Sequence, residues 1–141
     1  TALKNILLEA NNELLYEITL KGVKILLVED YPMNVKVATK FLERWQIVLD
    51  VAENGQIAVD KYAAGKYDVI LMDIQMPQMD GYTATQKIRE MDMNIPIIAL
   101  TASATLSNQD RAFLVGMNDY VTKPFNPKEL FQKIAKYSSR I

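Results

Sequence analysis

The chain has 141 residues, half of them hydrophobic and 23% charged, with a formal net charge of -1. This suits one compact domain with at most a short appendage, and it provides no overall field to draw nucleic acid or an anionic membrane. Cysteine and histidine are both absent, which excludes disulfides, zinc-thiolate sites, imidazole bases and the serine triad and leaves oxygen-ligand chemistry.

In chain order, residues 1–20 differ in character from the rest. Leu3, Leu7, Leu14 and Ile18 fall on roughly one helical face, so a helix is one reading. An interdomain linker is the preferred reading, because Asn11 and Asn12 interrupt the pattern and Thr19 to Gly22 reads as a boundary. Residues 1–21 are therefore taken as a linker or N-terminal helical extension, and 22–141 as the domain. The start at Thr1 points to excision from a longer chain or to processing. The same segment offers a place where two copies would pair as a homodimer.

Short apolar runs then alternate with amphipathic stretches. VKILLV (23–28) predicts a buried strand, and 32–45 a helix with Val35, Ala38, Phe41, Leu42 and Trp45 in register. IVLDVA (47–52) predicts a strand, followed by a helix carrying Ile57, Ala58 and Tyr62. YDVILMD (67–73) is the third strand and 81–91 the next helix. IPIIALTA (95–102) is a strand, about 106–115 a weaker helix, 119–123 a short strand, and 126–137 a last helix with Leu130, Phe131, Ile134 and Tyr137 in register. Five successive strand-helix units imply an α/β fold, a doubly wound five-stranded parallel sheet with helices on both faces. In such sheets ligands gather at the carboxyl ends of the strands.

The residues at those ends carry the chemistry. Glu29 and Asp30 follow the first strand, Asp73 ends the third, Thr101 the fourth, and Lys123 and Pro124 follow the fifth. Three neighbouring carboxylates stay ionised together only beside a cation, and an oxygen-only ligand set favours a hard divalent ion, Mg2+ above all. A magnesium ion, the Lys123 ammonium and the Thr101 hydroxyl around one carboxylate are what a transferring phosphoryl group needs. Asp73 is then a nucleophile that forms an acyl phosphate.

The motifs VED (28–30), MDIQMPQMDG (72–81), ALTA (99–102) and YVTKPF (120–125), each at a strand end and in this order, resemble the response-regulator receiver domains of two-component signalling. The resemblance covers residues 22–141. It implies a flavodoxin-like strand order of 2-1-3-4-5, Asp73 as phosphoacceptor, and a magnesium site of Glu29, Asp30, Asp73 and the Gln75 backbone carbonyl. It also implies phosphoryl binding by Thr101, the Ala102 amide and Lys123, a cis peptide before Pro124, and a turn at Gly81. Thr101 and Tyr120 resemble a switch pair that reshapes the face formed by the fourth helix, fifth strand and fifth helix of the domain. Gln75 and Ser103 occupy positions that tune dephosphorylation. The implied activity is that of a signalling receiver that catalyses its own phosphorylation and dephosphorylation, not of a separate enzyme.

Simpler roles compete for single residues. Asp30, ahead of Pro32, is as well placed to cap a helix as to bind a metal. Thr101 would otherwise be strand-end packing, Tyr120 plain core, and Lys123 a solvated surface charge. The methionines at 72, 76 and 79 read as core and loop packing.

With no histidine in the chain, the phosphoryl donor lies elsewhere. The resemblance implies a histidine kinase dimerisation domain or a histidine phosphotransfer protein, docked on the helix carrying Met33, Val37 and Lys40. Asn34 matches the second asparagine of the VEDN-x-x-N pattern of receivers attached to hybrid histidine kinases, while Tyr31 replaces the first. The last helix nearly reaches residue 141, so the expected output is a protein contact or onward phosphoryl transfer. The expected setting is the cytoplasm, free or as part of a membrane-bound kinase, with no membrane insertion and no nucleic-acid partner. The alternative function is a receiver that docks proteins without being phosphorylated.

Overall fold

The computed structural model describes residues 12–62, 66–103 and 105–140. It runs α1 (Asn12–Leu20), β1 (Lys24–Val28), α2 (Pro32–Arg44), β2 (Val48–Ala52), α3 (Gly55–Lys61), β3 (Val69–Asp73), α4 (Gly81–Met91), β4 (Ile97–Thr101), α5 (Leu106–Leu114), β5 (Asp119–Thr122) and α6 (Pro127–Tyr137). The strands pair in parallel in the order β2-β1-β3-β4-β5, as the motifs imply. Among the described residues, no helix is long and apolar enough to cross a membrane.

Alternation along the strands builds two core layers, because successive side chains leave opposite faces of the sheet. Ile25, Leu27, Val69, Leu71, Ile98 and Leu100 join α1, α2 and α6 on one face. Leu26, Val28, Ile70, Met72, Ile97 and Ala99 join α3, α4 and α5 on the other. The three central strands are therefore apolar almost throughout, as burial on both faces requires. The helix faces follow the sequence pattern: Ala38, Leu42 and Trp45 are buried under α2, and Leu130, Phe131 and Ile134 under α6.

Of the two readings of the N-terminal segment, the described part takes the helical one. Residues 12–20 form a helix docked on the domain, with Tyr16 and Leu20 in the core. Leu14 and Ile18, expected to share the packed face, are instead exposed. Leu3 and Leu7 lie outside the described residues.

Register brings the functional positions to one edge. Val28 pairs with Met72 and Ala52, so Glu29 emerges beside the end of β3. Asp73 pairs with Leu100, and Thr101 with Thr122. The Lys123 amide then donates to the Thr101 carbonyl at 2.8 Å. The Lys123-Pro124 peptide is cis.

Candidate functional site

Glu29, Asp73 and Thr101 are buried at this edge. Glu29 is 1% exposed and Asp73 5%, so two carboxylates sit almost dry and close together. Lys123 bridges them: its Nζ lies 2.8 Å from Glu29 Oε2 and 3.2 Å from Asp73 Oδ1. Asn34, in the first turn of α2, donates its side-chain amide to Glu29 Oε1 at 3.1 Å. Both oxygens of Glu29 are thus held, as a buried carboxylate requires.

Asp30 is half-buried. The N-cap of α2 is Tyr31, with no side-chain capping bond, so the capping alternative for Asp30 does not hold. One oxygen from each of Glu29, Asp30 and Asp73 lies within 4.8 Å of the others. Magnesium binds oxygen at about 2.0–2.1 Å in octahedral geometry, which places its ligands roughly 3 to 4 Å apart, so this all-oxygen set fits the ion after small side-chain movements. The cleft holding them has a volume of about 230 Å3, and Gln75, Thr101, Ala102 and Lys123 also line it.

Burial, and after it the charge of Glu29, pushes the Asp73 carboxyl up to about 7, against the pull of Lys123 and of the Gln75 amide that donates to Asp73 Oδ1 at 3.3 Å. The folded chain thus keeps a proton that the unfolded chain has released between about pH 4 and pH 7, and stability must fall as pH rises through that window. A shift of this size corresponds to a loss on the order of 4 kcal/mol. In metal-free protein, thermal melts from pH 5 to 8 are expected to show this fall for the wild type and not for Asp73→Asn. Magnesium at about a hundred times its dissociation constant should return roughly 2.7 kcal/mol at pH 8. A wild type and Asp73→Asn with parallel pH profiles would refute the assignment.

Thr101 is buried, and its hydroxyl is engaged locally: it donates to the Ser103 carbonyl at 2.7 Å and accepts from the Ser103 amide at 3.1 Å. Simple strand-end packing does not describe it. Tyr120 is half-buried, packed on the second core layer. The Lys133 ammonium sits 4.7 Å from the centre of its ring and also donates to the Tyr120 carbonyl. Lys133 is further held by Asp119 at 3.1 Å and Glu129 at 3.2 Å.

Gly81 has a steric reason. A Cβ there would stand 2.2 Å from the Asp73 carbonyl oxygen and 2.9 Å from Ile74 Cα. The Gly81 amide donates to the Ile74 carbonyl at 2.9 Å, which closes the loop, and Asp80 caps α4 by accepting from the Thr83 amide at 2.8 Å. Gly81→Ala must push α4 away from the end of β3. The expected loss is roughly 3 kcal/mol, read as a lower urea midpoint; an unchanged midpoint would mean that the loop gives way freely.

The structure brings Glu29, Asp30, Asp73, Gln75, Thr101, Ala102 and Lys123, all singled out in the sequence, to one cleft, whereas the contacts of Asn34 and Lys133 were not anticipated. Asn34 stood out only as a subtype marker, although its place in the turn after an acidic pair was a usable signal. Lys133 lies on α6, away from every strand end, and nothing in the sequence pattern tied it to Tyr120.

Comparison with known proteins finds relatives in both sequence and structure. Residues 25–135 match the family model described as response regulator receiver domain. The chain is 41% identical over 128 residues to hybrid signal transduction histidine kinase B of Dictyostelium discoideum, covering 81% of this chain but only 6% of that protein. It is 38% identical, with a TM-score of 0.78, to the receiver domain of sensor histidine kinase PA1611 from Pseudomonas aeruginosa, a crystal structure with a magnesium ion coordinated in its active-site cleft; 84% of this chain and 98% of that one are covered. It also matches, at 32% identity and a TM-score of 0.79 over 85% of this chain and 91% of that one, a chain in the co-crystal structure of the Saccharomyces cerevisiae histidine phosphotransfer protein Ypd1 with the receiver domain of the response regulator Ssk1.

Proposed function

Because the chain belongs to the response regulator receiver domain family, a signalling module of two-component systems, we propose that Asp73 accepts a phosphoryl group from a phosphohistidine donor. The observation that carries this reading is the convergence of Glu29, Asp30 and Asp73 to within 4.8 Å, with Lys123 bridging two of them at the strand ends. An Asp73 oxygen forms the new bond to phosphorus while the bond from phosphorus to the donor imidazole nitrogen breaks. Lys123, the Thr101 hydroxyl and the Ala102 amide receive the phosphoryl oxygens. Glu29, Asp30, Asp73 and the Gln75 carbonyl would hold Mg2+, which supplies positive charge to the transferred group.

For Thr101 to serve, its hydroxyl must leave Ser103. The Tyr120 ring then turns inward and gives up the Lys133 ammonium on its face, which alters the surface of α5, β5 and α6. Gln75 and Ser103 flank the acyl phosphate and set its lifetime. The donor is a histidine kinase dimerisation domain or a histidine phosphotransfer protein, docked on α2, where Met33 and Val37 are exposed; the domain works in the cytoplasm. The matches to a hybrid kinase and to a receiver crystallised with Ypd1 support these partners.

The test is an intact mass spectrum after incubation with a small acyl-phosphate donor. The expected result is one added phosphoryl group that requires magnesium. Folded protein that gains nothing from this donor or from a phosphohistidine partner would favour phosphorylation-independent docking instead.

A further inference from the structure

Helix α1 lies across the seam between α2 and α6. Tyr16 is 7% exposed. Its ring stacks on Phe131 of α6, with centroids 4.1 Å apart and planes at 22°, and meets Trp45 at the end of α2 edge-on at 5.5 Å and 82°. Trp45 and Phe131 also touch, at 6.4 Å and 79°. The three rings therefore close a triangle with one corner from each helix. Leu20 is fully buried beside it, the Gln46 side-chain amide donates to the Glu17 carboxylate, and the Gly22 amide donates to the Gln46 carbonyl at 3.0 Å. Trp45 Nε1 is buried with no hydrogen-bond partner among the described residues, so packing against its ring neighbours fixes the indole.

The elements that meet at this triangle all lead to the same cleft. The chain leaving α1 enters β1, which is followed directly by Glu29 and Asp30. Helix α2 starts just behind that pair and carries Asn34, which holds Glu29. Helix α6 starts just after Lys123. We infer that Tyr16 is a positioning residue for the phosphoacceptor site: wedged between Trp45 and Phe131, it sets the spacing of α2 and α6, and through them the placement of Glu29 and Asp30 against Lys123. Displacing α1 then changes how tightly the cleft holds a cation and a phosphoryl group. By linkage, occupancy of the cleft changes the docking of α1 to the same degree. The inference rests on the phosphoacceptor reading.

The single tryptophan of the chain is Trp45, so its fluorescence reports the docking directly. The test compares Tyr16→Ala, Tyr16→Leu and Tyr16→Phe in the 141-residue chain with Ile88→Val, which removes a methyl group from the other core layer. Three quantities are read: acrylamide quenching of Trp45, the magnesium dissociation constant by calorimetry, and the rate of labelling by a small acyl phosphate as magnesium is varied. Tyr16→Ala is expected to raise the quenching and to weaken magnesium binding by about threefold or more. Tyr16→Phe keeps both ring contacts and should restore both values, and Ile88→Val should leave magnesium affinity at the wild-type level. Should Tyr16→Ala fail to fold, Tyr16→Leu keeps the apolar bulk, loses the stacking, and is expected to show the same weakening. Increased quenching with unchanged magnesium affinity and labelling would overturn the inference and reduce α1 to a structural cover. A wild type that is never phosphorylated would overturn the phosphoacceptor reading and this inference with it.

Discussion

Asp73→Asn is expected to gain no phosphoryl group under conditions that phosphorylate the wild type, a fall in labelling rate of roughly 10³-fold or more. The amide matches the carboxylate in shape but has no charge for attack on phosphorus and ligates a hard cation poorly. The same change relieves the repulsion between two nearly dry carboxylates, since Glu29 also presses on Asp73 and raises its proton affinity. In metal-free protein at neutral pH the variant should therefore melt at or above the wild-type temperature. Loss of chemistry with no loss of fold is the signature to look for in paired mass spectra and thermal melts. Continued magnesium-dependent labelling of the variant would move the acceptor to another carboxylate of the cleft.

Lys123→Met should be the most destabilising change at the site. Glu29 is 1% exposed and Asp73 5%, and Lys123 is the one ammonium within 4 Å of both among the described residues. Its removal leaves two buried carboxylates facing each other. Breaking a buried ion pair in this way typically costs about 3 to 5 kcal/mol, because the orphaned charge remains. For a chain of this size the melting temperature should drop by roughly 10 to 20 °C. Two dependences identify the cause. The loss should shrink at pH 5, where Asp73, which titrates at about 7, carries a proton. It should also shrink with magnesium, which replaces the missing positive charge, so the ion should stabilise the variant more than the wild type. A loss independent of pH and magnesium would indicate mere packing of the lysine stem.

The sheet and its functional edge could be read from the chain because they depend on local signals. The apolar runs mark the strands, and a carboxylate, hydroxyl or ammonium at the end of each run breaks that pattern where ligand chemistry belongs. The inner face of helix α1 was not legible, for the opposite reason. Its spacing favoured Leu14 and Ile18, yet burial fell to Tyr16 and Leu20, because the rings that receive Tyr16 come from Trp45 and Phe131, far along the sequence. Periodicity finds a helix, but only tertiary contact chooses its inner face. The Thr101 hydroxyl is a similar case: its position was legible, but its engagement with Ser103 depends on the backbone path after β4. Asp30 went the other way, since two roles fit the sequence and the position of the helix cap at Tyr31 removed one.

The cleft is built from the carboxyl ends of strands and the loops just beyond them, whereas Met33 and Val37 point outward from α2 and belong to neither core layer. Substitutions on that outer face leave the strand register that assembles the cleft undisturbed. On the proposed reading, in which the donor docks on α2, a change of donor needs changes on that face alone and none at Glu29, Asp30, Asp73, Thr101 or Lys123. On that reading the division between strand ends and outer helix face would let one chemistry serve many private conversations in one cell.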